Sequence, residues 1–239
     1  MDRPCTHNAM SGVHRRRLLL ISAAMLTIAS RVAVAREDSV MDRECRVKAA
    51  FVYNFLKFVE GGRFAPAQGR KNDKPDPNDP LVIGVLGIPP SRAALEELNG
   101  KHIGNRVVVV RWFKGFKELA DGDRKVPERH PDLDRIRACQ VLFLCPSEEE
   151  FLSRILPDLG ASGILSVGDV PRFLEAGGTI NLLIEKRKVR FEINLAAAAR
   201  AKLLIRSSLL RLAVRTIEHD QLESMNKKDE EDPGGAGHP

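Results

Sequence analysis

The stretch that most constrains the fold is the run from Gly177 to Ala213, GGTINLLIEKRKVRFEINLAAAARAKLLIRSSLLRLA. In its first half, apolar residues recur at every second position, which is the period of strands that bury one face. The positions expected to be buried are Ile180, Leu182, Ile184, Val189, Phe191 and Ile193. The connection from Glu185 to Lys188 is short enough for a hairpin, although it lacks the Asn-Gly or Asp-Gly of primed turns. The pattern therefore predicts two antiparallel strands.

The second half of this run has helical features. Asn194 precedes an alanine-rich segment and is expected to cap a helix that continues to Arg200. Ser207 or Ser208 is expected to cap a second helix. The apolar side of that second helix would be formed by Leu209, Leu210, Ala213, Val214 and Ile217.

Upstream of this run, short apolar segments alternate with helical ones. Four segments read as buried strands: Leu81 to Leu86, Val107 to Trp112, Val141 to Leu144 and Ile164 to Val167. Helices are expected between them, at about 91–98, 148–156 and 171–176. This alternation predicts an α/β fold with a mostly parallel sheet covered by helices on both faces. The C-terminal hairpin either extends that sheet at an edge or packs beside it.

A helix is also predicted before the first strand, and it ends at Gly61-Gly62. Apolar side chains recur there at intervals of three and four, which predicts one continuous buried stripe. Its members are Val47, Ala50, Phe51, Asn54, Phe55, Phe58 and Val59.

The N-terminus has the features of a secretory leader. Three arginines at 15–17 precede an apolar run from Leu18 to Ile28, and Ala33-Val34-Ala35 fits a cleavage site. The apolar run is shorter than the roughly 20 residues that span a bilayer. We therefore expect export with cleavage after about Ala35. An uncleaved anchor is the alternative to cleavage. The twin-arginine route is the alternative to the general secretory route.

The leader divides the chain into three parts. Residues 1–35 form the signal peptide, 42–218 a single folded domain, and 219–239 a polar tail that is expected to be disordered. The net charge of the whole chain is +6, and removal of five arginines and one aspartate with the leader leaves +2. The mature domain therefore lacks the basic character of a nucleic-acid-binding protein. It also has no transmembrane span once the leader is cleaved.

Three cysteines remain after cleavage, namely Cys45, Cys139 and Cys145. Cys139 and Cys145 flank an extended run, so their Cα atoms would lie roughly 20 Å apart, far beyond the limit of about 7 Å for a disulfide. A bridge from Cys45 to either Cys139 or Cys145 is one alternative. The other is that all three thiols are small apolar members of the core.

The sequence contains no strong catalytic or metal-binding motif. It has no G-x-S-x-G motif and no histidine or cysteine spacing typical of a metal site, and no cofactor is predicted. In parallel sheets, ligands bind beyond the carboxyl ends of the strands. The candidate residues for such a crevice are Trp112, Ser147 and Asp169. We therefore expect a binding protein rather than an enzyme.

Three blocks of sequence, in order, resemble the YfiR-like family of bacterial periplasmic proteins. They are RVKAAFVYNFLKFVE, ACQVLFL and GGTINLL with VRFEINLAAAARAKLLIRSSLLRLA, and the resemblance spans about Arg43 to Val214. The chain departs from the family where a Trp-Pro usually follows the first helix, because Gly61-Gly62-Arg63-Phe64 stands there. The best-known member uses paired cysteines, whereas here two of the three cysteines lie at opposite ends of one short strand, so the resemblance does not carry redox control over to this chain.

The resemblance implies a periplasmic regulatory protein. It would repress an inner-membrane diguanylate cyclase by binding the periplasmic sensor domain of that cyclase, and it would be a homodimer. The first helix and the C-terminal helices are the possible interface elements. The alternative is a periplasmic small-molecule receptor or enzyme that uses the strand-end crevice.

Overall fold

The computed structural model describes residues 40–65, 79–120 and 125–218. The predicted signal peptide and the predicted C-terminal tail lie outside these residues. The larger compact unit of the chain begins at Glu44, and residues 40–43 form the start of its first helix.

Helices and strands alternate along most of the described chain. The helices are α1 (40–58), α2 (Arg92–Glu96), α3 (Phe116–Leu119), α4 (Leu133–Arg137), α5 (Leu152–Leu159), α6 (Leu195–Arg200) and α7 (Ser207–Leu210). The strands are β1 (Val59–Gly61), β2 (Leu81–Leu86), β3 (His102–Ile103), β4 (Arg106–Phe113), β5 (Val141–Leu144), β6 (Leu165–Gly168), β7 (Ile180–Glu185), β8 (Lys188–Asn194), β9 (Leu203–Ile205) and β10 (Arg215–Ile217). Two 3-10 helices, Gly62–Phe64 and Pro146–Phe151, complete these elements.

Among the described residues, eight strands form one sheet in the order β10-β8-β7-β6-β5-β2-β4-β3. The central strands from β4 to β7 are parallel to one another, whereas β3 is antiparallel to β4 and β8 is antiparallel to β7. The predicted α/β class with a mostly parallel sheet is confirmed. Because β7 also pairs with β6, the hairpin extends the sheet instead of packing beside it.

Both faces of the sheet are buried, because side chains of successive strand residues enter different apolar clusters. In β2, for example, Ile83 and Val85 belong to a cluster with α1 and α2, and Val82 and Leu86 belong to a cluster with α4 and α5. We call these two sides the α1 face and the α5 face. Burial on both sides explains why the strands read as continuous apolar runs.

The buried side of α1 differs from the predicted stripe. Phe55 and Val59 are buried as expected, but Val47, Ala50 and Asn54 are exposed. The remaining buried positions of the helix are Cys45, Ala49, Val52 and Leu56. Two overlapping apolar stripes run along this helix, and only packing against the sheet selects between them. Asn54 accordingly accepts a hydrogen bond from Lys57 at 3.1 Å on the surface and is not a buried amide.

The β7–β8 hairpin turns at Lys186 and Arg187. Both residues have a positive φ, 49° and 63°, which is the left-handed conformation that a two-residue primed turn requires. In an L-residue other than glycine, asparagine or aspartate, this conformation is disfavoured. The turn therefore forms because the buried faces of the two strands specify the register, despite unfavourable turn residues.

Replacing Lys186 with Asn and Arg187 with Gly is therefore expected to stabilise the fold by about 1 kcal/mol, since Asn-Gly adopts a type I′ turn with less strain. Urea unfolding of the mature protein measures this gain. The matched control replaces both residues with Gln, which removes the same charges and keeps the strain. Equal stability of the two variants would contradict this explanation.

The helix cap at Asn194 is confirmed, because its side-chain oxygen accepts a hydrogen bond from the Ala197 amide at 2.8 Å. The prediction of a long second helix is wrong. Helix α7 is preceded by Arg206 and ends at Leu210, and Arg215 to Ile217 form β10, which runs parallel to β8. Pairing with the open edge of β8 satisfies backbone groups that a helix would have satisfied internally.

The helix predicted at 171–176 is also absent from the structure, since these residues form turns. Arg172 has a φ of 57°, which interrupts any helical run. The turns place the Phe173 ring, which is fully buried, against Gly168 and Gly178, where an added Cβ would overlap the ring. Packing of this ring determines the local backbone.

Candidate functional site

The three side chains predicted to line a strand-end crevice lie in three separate environments. Trp112 belongs to β4, Ser147 to the turn after β5, and Asp169 to the turn after β6. The contacts of each side chain show whether the described part of this edge forms a site.

Trp112 joins β4 to α2. Its indole Nε1 donates a hydrogen bond to Glu96 Oε2 at 2.9 Å, and the Arg92 guanidinium lies 4.1 Å from the ring centroid. The ring is half-buried and packs against the core of the α1 face. These contacts occupy the indole, so Trp112 positions α2 and does not face an open crevice.

Ser147 is half-buried and forms a hydrogen-bonded cluster with the buried Glu148. The Ser147 hydroxyl accepts a hydrogen bond from the Ile88 amide at 2.9 Å and donates one to Glu148 Oε1 at 2.9 Å. Glu148 Oε2 accepts from the Phe116 amide at 2.6 Å. The Glu148 side chain thereby connects the turn after β5 to the start of α3. The Ser147 hydroxyl connects the same turn after β5 to the turn after β2.

Glu148 is completely buried, with a fractional exposure of 0%. Burial raises the pKa of its carboxyl, while the hydrogen bonds from the Phe116 amide and the Ser147 hydroxyl act in the opposite direction. Space for the carboxylate exists only because glycine occupies positions 87 and 115, where an added Cβ would overlap Ser147 or Glu148. We call Gly87, Gly115, Ser147 and Glu148 the carboxylate lock.

His130 lies beside the carboxylate lock but is not placed to act as a base on Ser147. Its Nδ1 accepts a hydrogen bond from the Asp132 amide at 3.0 Å, so the neutral ring carries its proton on Nε2 and donates it to the Lys114 carbonyl at 2.7 Å. The ring also packs edge-on against Phe116. Both ring nitrogens are thus used to hold the loops around α3.

Asp169 forms an ion pair with Lys48 of α1 at 2.7 Å, and Lys48 also contacts Glu44 at 2.6 Å. Burial raises the pKa of Asp169, against the effect of the hydrogen bond from Lys48. For Lys48, burial lowers the pKa, but its hydrogen bonds to Asp169 and Glu44 outweigh that effect and leave the pKa raised. The pair therefore fixes α1 to the turn after β6.

The spaces along this edge of the sheet are small. One, lined by Lys48, Pro89 and Asp169 among others, has a volume of about 20 Å³. Another, beside Phe116 and His130, has a volume of about 10 Å³. Each is about the size needed for one water molecule. At these two places the described strand ends leave room for about one water molecule each.

Cys45, Cys139 and Cys145 are buried, and each is a thiol in the structure. Cys45 belongs to the cluster on the α1 face and Cys139 to the cluster on the α5 face, so the sheet separates them. Cys145 lies in the same cluster as Cys45. Burial raises the pKa of the Cys139 thiol to about 11 and also raises the pKa of Cys145. These two thiols are therefore protonated and weakly reactive at neutral pH.

The structural roles of Glu148 and Lys48 were not predicted from the sequence. Glu148 stands in a run of three glutamates, which is typical of a solvated surface. The signal that indicates its burial is a pair of distant glycines, Gly87 and Gly115, and their role depends on tertiary contacts. Within residues 40–65, 79–120 and 125–218, no group of three or more metal-ligating side chains is present, and no helix is long and apolar enough to cross a membrane.

The chain has low similarity to two solved structures. One is a conserved domain protein from Vibrio cholerae O1 biovar eltor, with 12% identity, a TM-score of 0.44, and coverage of 57% of this chain and 55% of that chain. Another is the ABC domain in complex with L-Trp from Streptococcus pneumonia, with 12% identity, a TM-score of 0.41 and the same coverage of both chains. The chain thus spans about half the length of each. No curated protein matches the sequence significantly.

The family comparison is more extensive. The family described as YfiR/HmsC-like matches residues 45–214, which include α1 from Cys45 onward, strands β1 to β9 and helices α2 to α7. The match covers well over half of the chain and includes the blocks RVKAAFVYNFLKFVE, ACQVLFL and VRFEINLAAAARAKLLIRSSLLRLA in full. The chain therefore belongs to the YfiR/HmsC-like family.

Proposed function

We propose that this protein is a periplasmic regulator that represses an inner-membrane diguanylate cyclase by binding the periplasmic sensor domain of that enzyme. The observation that carries the proposal is membership of the YfiR/HmsC-like family over residues 45–214. YfiR-like proteins are periplasmic and regulatory, and the family suggests control of a diguanylate cyclase. Export by the predicted leader would deliver the domain to the compartment where that sensor domain lies.

The surface of the domain supports a role in protein binding. The C-terminal segment after α6 exposes large apolar side chains, with Leu204 at 68% and Leu212 at 63% of full exposure. On α1, Val47 is exposed as well, because the buried side of the helix is the other stripe. Apolar groups of this size in solvent are typical of protein interaction sites when they form a patch. We propose that the segment 204–214 contributes to partner binding.

The interior of the domain supports the same proposal. Trp112, Ser147 and Asp169 each hold structural elements together, and the described strand ends leave room for about one water molecule. A regulator that acts by differential binding to two states of its partner requires a stable surface and no reaction of its own. The homodimer implied by the family resemblance remains a prediction.

Affinity capture from inner membranes tests the proposal. The mature wild-type protein is expected to retain a GGDEF-type diguanylate cyclase, and its addition is expected to lower the rate at which that cyclase makes cyclic di-GMP in membrane vesicles. Replacing Leu212 with Glu is expected to weaken binding by about tenfold or more, because it places a charge in an apolar contact.

The matched control is Ile88→Glu, which places the same charge at another exposed apolar residue, in the turn after β2. This variant is expected to bind the cyclase like the wild type. Failure of the wild-type protein to retain or inhibit any diguanylate cyclase would contradict the proposed function. Equal loss of binding in both variants would contradict the assignment of the surface.

A further inference from the structure

The described part of the chain has a cavity of about 320 Å³ away from the strand-end crevice. It lies between the end of α5, the turn at 176–179 and α6, beside the beginning of β6 and β7. Its volume is at the lower end of the range for small-molecule sites, which is about 300 to 1,000 Å³. It exists because small side chains stand where larger ones would fill it, at Gly160, Ala176, Gly177, Ala197 and Ala201.

Two buried hydroxyl groups face this cavity. Ser166 and Thr179 both line it and are 5% and 2% exposed. Ser166 Oγ accepts a hydrogen bond from the Thr179 amide at 2.9 Å and shares a second hydrogen bond with Thr179 Oγ1 at 3.0 Å. The Ser166 and Thr179 hydroxyls carry one hydrogen each, and the hydrogen bond between the two hydroxyl oxygens uses one of these hydrogens. Among the described residues the other hydrogen has no acceptor, so the pair can donate to a ligand.

A cation completes the lining. Arg200 is the last residue of α6 and lies at the cavity, next to the Gly177 turn, where its Nη2 is 3.6 Å from the position of an added Cβ. Within residues 40–65, 79–120 and 125–218, no carboxylate pairs with Arg200. A guanidinium binds a carboxylate through two parallel hydrogen bonds, which gives the site a preference for anions of that shape.

These features define the chemistry of a ligand. The lining of Leu156, Leu159 and Ile164 requires an apolar body. Arg200 favours a carboxylate, and the Ser166–Thr179 pair favours a hydrogen-bond acceptor elsewhere on the ligand. We propose that this cavity binds a small organic acid with an apolar chain and a second, uncharged acceptor such as a ketone oxygen. None of the residues that line this cavity belongs to the segment 204–214 proposed to bind the cyclase.

Isothermal titration of the mature protein with three matched probes tests the inference. 5-Oxohexanoate carries both groups, hexanoate lacks the distal acceptor, and 2-hexanone lacks the carboxylate. We expect saturable binding of 5-oxohexanoate in the millimolar range or tighter, with hexanoate several-fold weaker and 2-hexanone about tenfold weaker.

Variants separate the two contacts. Arg200→Gln is expected to weaken 5-oxohexanoate about tenfold and to leave 2-hexanone unchanged. Thr179→Val is expected to reduce the preference for 5-oxohexanoate over hexanoate. Arg190→Gln removes an exposed arginine that does not line the cavity, and it is expected to leave the affinity for all three probes unchanged. Absence of saturable binding, or equal effects of Arg200→Gln and Arg190→Gln, would overturn the inference.

Discussion

Replacing Glu148 with alanine is expected to lower the free energy of unfolding by about 3 kcal/mol. The buried Glu148 carboxylate accepts hydrogen bonds from the buried Phe116 amide and from the half-buried Ser147 hydroxyl. Its loss leaves a buried N–H donor without an acceptor and opens a void between Gly87 and Gly115. Urea unfolding followed by circular dichroism measures the change in the free energy of unfolding.

The adjacent residue provides the control, because Glu149 carries the same side chain in solvent. Glu149→Ala is expected to change stability by less than about 0.5 kcal/mol. Equal effects of the two alanine substitutions would show that the carboxylate lock does not hold the strand ends together.

The loss of stability caused by Glu148→Ala is also expected to depend on pH. The raised pKa of the Glu148 carboxyl gives the direction of this dependence. A carboxyl whose pKa is higher in the folded state than in the unfolded state binds its proton more tightly when folded. Its contribution to stability is fully present below the unfolded pKa of about 4.3 and falls as pH rises through the folded pKa. The loss of stability in Glu148→Ala should therefore be larger near the unfolded pKa than at neutral pH. A loss that grows with pH would contradict the direction of the shift.

Replacing Gly178 with alanine is expected to lower the free energy of unfolding by about 3 kcal/mol, because the new methyl group overlaps the Phe173 ring. The ring is fully buried and packs between Gly168 and Gly178, so it has no open direction in which to move. The backbone at Gly178 does not have a positive φ, so steric overlap and not backbone strain is the expected cause. Chemical unfolding of the mature protein measures the loss.

A double-mutant cycle with Phe173→Leu identifies that cause. The smaller side chain is expected to cost about 1 kcal/mol by itself and to make Gly178→Ala nearly neutral. The expected coupling energy between the two positions is therefore about 3 kcal/mol. Additive losses in the double variant would show that Gly178 is required for a reason other than contact with Phe173.

Several elements were predictable because a local pattern and the tertiary packing require the same structure. The apolar runs that became β2, β5 and β6 are too short for core helices and are buried on both faces, whereas β4 is half-buried along most of its length. The alternation from Ile180 to Ile193 likewise corresponds to β7 and β8. Asn194 caps α6 through a contact with its own chain three residues later, so no distant residue is involved.

The predictions from sequence were wrong where one pattern of residues was compatible with two structures. The residues after Leu210 have helical spacing, but an unpaired edge of β8 was available, and Arg215 to Ile217 pair with it. In α1, two apolar stripes overlap, and the sheet buries the one that contains Ala49 and Val52. The candidate site depended on tertiary structure even more strongly. The lock around Glu148 and the cavity beside Arg200 both join segments that are far apart in sequence.

The amino-acid sequence alone determined the alternation of strands and helices, the α/β class, the cap at Asn194 and the family to which the chain belongs. These properties depend on periodicity and on residues close together along the chain. The tertiary structure decided which side of α1 faces solvent, that Arg215 to Ile217 extend the sheet, and that Glu148 is buried while Arg200 borders a cavity. The physical reason is that burial is a property of the whole packed molecule, and a side chain has no burial until distant segments surround it.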